Sequence, residues 1–224
     1  MRASFALLLH APLTAPLAAP VRVFCFGDSL TAGTSPPLDE LYPYAPALEK
    51  ALGPSVLVRH RGLPGVRADA MLQYADDEQK GLRSLLRRSN PALVIILAGT
   101  NDLGYASDSA PIVRSVCGLH ELSHELGVPS LAVGIPPSAY QAMQPEAAAR
   151  ARAVNEELRA WCDDAARGQL CSYVAHPIAS WSQGDARWAP DGLHLSPEGY
   201  AMVGERLAGV VTERLGVLVA AAEL

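Results

Sequence analysis

The chain lacks several features that would commit it to particular functional classes. Its cysteines, Cys25, Cys117, Cys162 and Cys171, include no C-x-x-C pair, so the usual spacing of a thiolate metal site is missing. Four cysteines in 224 residues are too few for a disulfide scaffold. Buried free thiols are therefore expected, with a Cys162–Cys171 bridge as the alternative. Positive charge is not in excess. The formal net charge is −5, with both signs interspersed, so no cationic surface is expected to neutralise phosphates, and nucleic acid is not an expected partner. No run reaches the roughly 18 apolar residues of a membrane span. Internal repeats and long low-complexity linkers are also missing.

What is present is apolar material for one sizeable core: half of the residues are hydrophobic, and the length requires no second domain. A single domain over residues 21–224 is expected. Residues 1–20 differ in character. They hold Arg2, an apolar run from Phe5 to Leu9 and several alanines and prolines, and no acid precedes Asp28. That composition suits a targeting peptide, which would make the protein secreted or organellar. His10 and Pro12 cut the apolar run short, which leaves a disordered start, and a cytoplasmic protein, as the other reading.

From Val21 onward, short β-branched runs alternate with longer segments of helical period, the pattern of strand–helix repeats around a parallel sheet. Strands are expected at Val21–Phe26, Ser55–Arg59, Ala92–Ala98, Ser130–Ile135 and, more weakly, Ser172–His176. The run from Leu93 to Leu97 has no polar alternation, as in a strand buried on both faces. Met71, Leu72, Ala75, Leu82, Leu85 and Leu86 mark one amphipathic helix. Ile112, Val116, Leu119 and Leu126 mark a second, and Ala151, Val154, Leu158, Trp161 and Ala165 a third. Ser196-Pro197-Glu198 starts a last helix carrying Tyr200, Val203, Leu207 and Val211.

In open parallel sheets ligands gather beyond the carboxyl ends of the strands, and four such places are unusual. Gly27-Asp28-Ser29-Leu30 sets a serine at a strand-to-helix turn, where Asp28 or Ser29 could equally be an N-cap. Arg61-Gly62-Leu63-Pro64-Gly65 follows the second strand, and Gly99-Thr100-Asn101-Asp102 the third. Glycine lets backbone N–H groups approach a ligand and an asparagine amide adds a neutral donor, so the two segments could form an oxyanion hole or be ordinary turns. Finally, Asp191-Gly192-Leu193-His194 precedes the last helix. An aspartate three residues before a histidine can accept from its ring N–H and fix the tautomer.

Taken together, Gly27-Asp28-Ser29-Leu30, Gly65, Gly99-Thr100-Asn101-Asp102 and Asp191-x-x-His194 resemble, in order and spacing, the four sequence blocks of the SGNH (GDSL) hydrolase family. The resemblance implies a flavodoxin-like three-layer α/β/α sandwich around a central parallel sheet, and a serine esterase working through an acyl-serine intermediate without metal or organic cofactor. It implies Ser29 as nucleophile, His194 as general base and Asp191 as its orienter. The oxyanion donors would be the N–H groups of Ser29 and Gly65 and the side-chain amide of Asn101. The chain departs from the family pattern with His60-Arg61 where many members have an asparagine, Pro64 before Gly65, and Thr34 in place of an aromatic. Gly62 is therefore a rival to Gly65.

Two other chemistries are open. His120-Glu121-Leu122-Ser123-His124 fits H-E-x-x-H and could serve a zinc hydrolase, although Ser130 stands where the longer form of that motif needs a third histidine. The two rings are expected half-exposed at the edge of a helix stripe, with Gly127 as the helix C-cap. On the SGNH fold, the acyl group could also pass to an alcohol or sugar instead of water, making the protein an acyltransferase. The expected partner is a small or acylated substrate. Segments Thr34–Pro46 with Tyr42 and Tyr44, Gly134–Gln144 with Tyr140 and Met143, and Ala179–Pro190 with Trp181 and Trp188 are expected to wall the pocket. Their aromatics and few charges suit a short acyl or aryl group.

Overall fold

The alternation read from the sequence becomes a five-stranded parallel sheet in a computed structural model that describes residues 19–222 apart from Gly168. Most of the 1–20 segment, and with it the targeting expectation, lies outside the described residues. The strands are β1 (Val21–Gly27), β2 (Val56–Gly62), β3 (Leu93–Leu97), β4 (Ser130–Val133) and β5 (Cys171–Val174), in the order β2-β1-β3-β4-β5. This is the flavodoxin-like order, whose direction of winding reverses beside β1.

The period of two along each strand divides the core into two faces. On one face Phe24, Phe26, Val94, Ile96 and Ala132 pack against α3 (Ala68–Gln73), α4 (Leu82–Ser89), α5 (Ala110–His124) and α7 (Pro145–Asp163). On the other, Val23, Cys25, Leu93, Ile95, Leu97, Leu131 and Val133 meet α1 (Ser29–Ala32), α2 (Ala45–Leu52) and α8 (Pro197–Ala222). The α/β/α sandwich follows from this division. Each fully buried Leu or Ile in it stabilises the fold by about 1.5–3 kcal/mol. Tyr200, Val203, Leu207 and Val211 of α8 are all buried, as their spacing requires. Among the described residues no helix is long and apolar enough to cross a membrane.

Three sequence expectations change. The helix expected across Met71–Leu86 is two helices, α3 and α4. Between them the Asp77 carboxylate accepts from the N–H groups of Gln79 and Lys80, and the Arg83 N–H turns back to the Ala75 carbonyl. A side chain satisfying backbone donors locally competes with helix continuation. Arg61-Gly62 closes β2 instead of following it. Two of the three segments read as pocket loops also carry regular structure, since α2 begins at Ala45 and α6 spans Ala139–Met143. Across the three segments Tyr44 is a core residue, and Trp188 is buried as well, whereas Tyr140 and Met143 are exposed.

Candidate active site

Register brings the ends of β1, β2 and β3 to one level: Gly27 pairs with Gly62 on one side and with Leu97 on the other. Ser29, Gly65 and Asn101, two, three and four residues beyond those positions, therefore leave the sheet along the same edge. The chain turns from β1 straight into α1, a single turn capped by Asp28, whose Oδ1 accepts from the Leu30 N–H at 2.9 Å. Ser29 is 6 % exposed and Asp28 is fully buried. Burial pushes the Asp28 carboxyl up to about 7, against the Leu30 N–H bond that favours its charged form.

His194 arrives from the far end of the sequence. Its Nε2 lies 2.9 Å from Ser29 Oγ, and its Nδ1 lies 2.6 Å from Asp191 Oδ2. The local turn explains the second contact: Asp191 Oδ1 accepts from the N–H groups of Leu193 and His194, both at 3.0 Å, which leaves Oδ2 facing the ring. Burial raises the Asp191 pKa, but the bonds from the His194 ring and the two backbone N–H groups outweigh it and hold the carboxyl below its ordinary value. Asp191 is thus an anion at neutral pH. It fixes the proton on Nδ1, so Nε2 is free to accept from the serine hydroxyl. The loop is anchored by the Ala189 N–H on the His194 carbonyl at 2.9 Å.

The remaining members are tied to one another. Asn101 Nδ2 donates to the Val66 carbonyl at 3.0 Å, and the Asp102 carboxylate accepts from the Ala68 N–H at 3.1 Å. Consecutive residues after β3 thereby clamp the segment that carries Gly65. This clamp was not foreseen from the sequence, although Asp102 stood in the quoted motif. Gly65 has φ +74°, the left-handed region that favours glycine, and a Cβ there would meet no atom within 4 Å. Gly62 is constrained differently, because a Cβ there would stand 2.1 Å from the Ala32 backbone nitrogen. Its lack of a side chain lets β2 pass close to α1. Beside the clamp a cavity of about 320 Å³ is lined by Arg67, Asp69, Asp102, Tyr105, Ser107 and Ile112.

A second serine also meets histidine. Ser130, at the amino end of β4, lies 2.8 Å from His120 Nδ1 and 2.9 Å from His124 Nε2. His120 and Ser130 are fully buried, His120 contrary to the half-exposed ring expected, with Trp161 of α7 tilted against it; His124, stacked under Trp161, is half-buried as expected. Both imidazoles of the H-E-x-x-H sequence are thus turned onto a hydroxyl, while Glu121 is exposed to solvent. Among the described residues no group of three or more His, Cys, Asp or Glu is arranged to hold a metal ion. The zinc-hydrolase alternative has no support in this geometry.

Comparison with known proteins identifies the family. The sequence profile of the GDSL-like Lipase/Acylhydrolase family matches residues 25–202. The chain belongs to this family. As a GDSL-type hydrolase it is a carboxylic ester hydrolase with a serine-centred mechanism, and its matched region runs from β1 into α8. Solved structures show the same fold. Est24, a carbohydrate acetylesterase from Sinorhizobium meliloti, is 23 % identical with a TM-score of 0.63, covering 86 % of this chain and 99 % of its own. The aryl esterase of M. smegmatis is 22 % identical with a TM-score of 0.64 and the same coverage. A family 3 carbohydrate esterase from Clostridium thermocellum is 19 % identical with a TM-score of 0.68, covering 89 % and 98 %. The search of curated proteins gave no match.

Proposed function

We propose that Ser29 is the nucleophile of this GDSL-type esterase, that His194 is its general base and that Asp191 orients the base. The observation that carries this reading is the hydrogen-bonded chain Ser29–His194–Asp191, closed across 165 residues of sequence between Ser29 and His194. A serine hydroxyl is a poor nucleophile at neutral pH unless a base takes its proton during attack. Here Nε2 accepts that proton as Oγ bonds to the ester carbonyl carbon. Negative charge moves onto the carbonyl oxygen, and the N–H groups of Ser29 and Gly65 with the Asn101 amide are its donors. His194 then protonates the departing alcohol. Water, deprotonated by the same nitrogen, releases the acid and restores Ser29.

The substrates are short acyl or aryl esters. Solved relatives of the same fold are a carbohydrate acetylesterase and an aryl esterase, and the segments around Tyr140, Met143 and Trp181 carry aromatics and few charges, which suits an uncharged acyl or aryl group. Residues 21–224 act as one hydrolase domain, since both apolar clusters are built on one sheet. A fluorophosphonate, which phosphonylates an activated serine, tests the assignment directly. Peptide mapping is expected to find the adduct on Ser29; an adduct on another serine with Ser29 unmodified overturns it. Across a series of p-nitrophenyl esters kcat/KM is expected to peak at short acyl chains.

A further inference from the structure

The amino edge of the sheet holds a group of side chains that ester hydrolysis does not use. Cys162 lies in the last turn of α7, and Cys171 opens β5 opposite Ser130. Both are buried, at 3 % and 4 % exposure, and their Sγ atoms are 2.7 Å apart. The ordinary sulfur contact in the same cluster, Ser130 Oγ to Cys171 Sγ, is 3.6 Å. The backbone has already brought the two sulfurs to within a side-chain adjustment of bonding distance, the condition that most cysteine pairs fail.

We propose that Cys162 and Cys171 form a structural disulfide, made by exchange with a small disulfide of the glutathione class. During folding, before the amino edge closes over it, Cys171, as thiolate, attacks one sulfur of the oxidant, whose S–S bond breaks to release one thiol. Cys162 then gives up its proton and attacks the Cys171 sulfur, forming the protein bond and releasing the second thiol. The protein loses two electrons and two protons, and the oxidant gains them.

The surroundings suit Cys171 to the first role. The Cys162 thiol beside it, together with His120 and His124, holds it well below the ordinary thiol range, with burial acting in the opposite sense. Cys25 and Cys117 have the reverse environment, since burial pushes each up to about 12. The bond would staple the end of α7 to the first residue of β5. Among the described residues that strand is at the sheet edge, paired only with β4, so an added restraint there has few other contacts to duplicate. A disulfide of this kind persists in an oxidising compartment.

The full chain, reduced, unfolded and refolded in a glutathione redox buffer, is alkylated in denaturant and mapped by mass spectrometry. The expected result is label on Cys25 and Cys117 alone, with a cross-linked peptide joining Cys162 to Cys171. Label on all four cysteines, or a bond between any other pair, overturns the proposal. Cys162→Ser is expected to lower Tm by about 5–10 °C under non-reducing conditions, and by much less in reductant. An unchanged Tm would overturn the structural role. If that variant fails to fold, the labelling of the wild-type chain decides alone.

Discussion

Among the described residues two serines sit within hydrogen-bond distance of a histidine ring, at opposite edges of one sheet, and the proposed mechanism uses only one of them. At the carboxyl edge Ser29 faces a single imidazole whose other nitrogen is held by an anionic carboxylate. At the amino edge Ser130 is held by two imidazoles, and His120 Nε2 is buried with no partner among the described residues. Ser130 and His120 are fully buried, so a carbonyl carbon has no approach to that hydroxyl. Ser–His distance is therefore a weak criterion. An acid behind the base, an approach for substrate and donors for the developing oxyanion separate the two sites.

The strongest way to break the comparison is to remove the first hydroxyl. Ser29→Ala is expected to lower kcat/KM for a p-nitrophenyl ester by about 10⁴-fold or more while leaving the far-ultraviolet spectrum and Tm close to wild type, because every later step needs the acyl-serine. Retained turnover in a pure preparation would move the chemistry elsewhere. Next comes the donor set. Asn101→Ala is expected to lower kcat by about 10²–10³-fold with a smaller change in KM, as a donor used in the transition state should. If KM rises instead and kcat holds, Asn101 merely binds substrate.

The carboxyl edge was readable in the sequence because its members have local backbone consequences. An Asp-x-x-His turn satisfies its own N–H groups, and glycines mark the close approach of β2 to α1 and the turn at Gly65. The strand–helix alternation gave all five strands within a few residues for a similar reason, as buried strands and amphipathic helices are written in short-range periods. The amino edge was not readable. His120 and His124 follow a pattern that suits zinc, and what buries His120 and half-covers His124, Trp161 on α7 and Ser130 on β4, comes from other elements. The break between α3 and α4 was hidden likewise, because Asp77 ends the helical pattern by a side-chain bond that apolar periodicity does not register. Tyr44 and Trp188 were placed at the pocket rim for their aromatic character, yet packing put both inside.

Beneath Ser29 lies a buried carboxyl group, whereas imidazoles surround Ser130, and pH sharpens this difference. Burial raises the Asp28 pKa to about 7 in the folded protein, above its value in the unfolded chain, so the folded state binds this proton more tightly. The sign follows: the contribution of Asp28 is most favourable below the unfolded carboxylate range and is lost as pH rises through about 7. Asp28→Asn keeps an oxygen for the Leu30 N–H and removes the titration. Urea midpoints of the variant, relative to wild type, are expected to improve between about pH 4 and pH 8, by an amount on the order of a few kcal/mol. Parallel curves for the two proteins would show that Asp28 does not titrate in that window.

The smallest effect on activity is expected from the serine that most resembles a catalytic one by distance. Ser130→Ala should leave kcat/KM within about twofold of wild type, a change of less than 1 kcal/mol in the barrier, because its side chain lies at the other end of the strands from His194. Its stability should fall more clearly. The hydroxyl holds both imidazoles, and deleting it strands buried ring nitrogens at a cost of about 1–3 kcal/mol, read from the shift in urea midpoint at unchanged slope. Ser130→Thr keeps the hydroxyl and should recover part of that loss. Should Ser130→Ala instead abolish turnover at full stability, the amino edge would have to be the reacting one, and the acid-backed histidine at Ser29 would need another purpose.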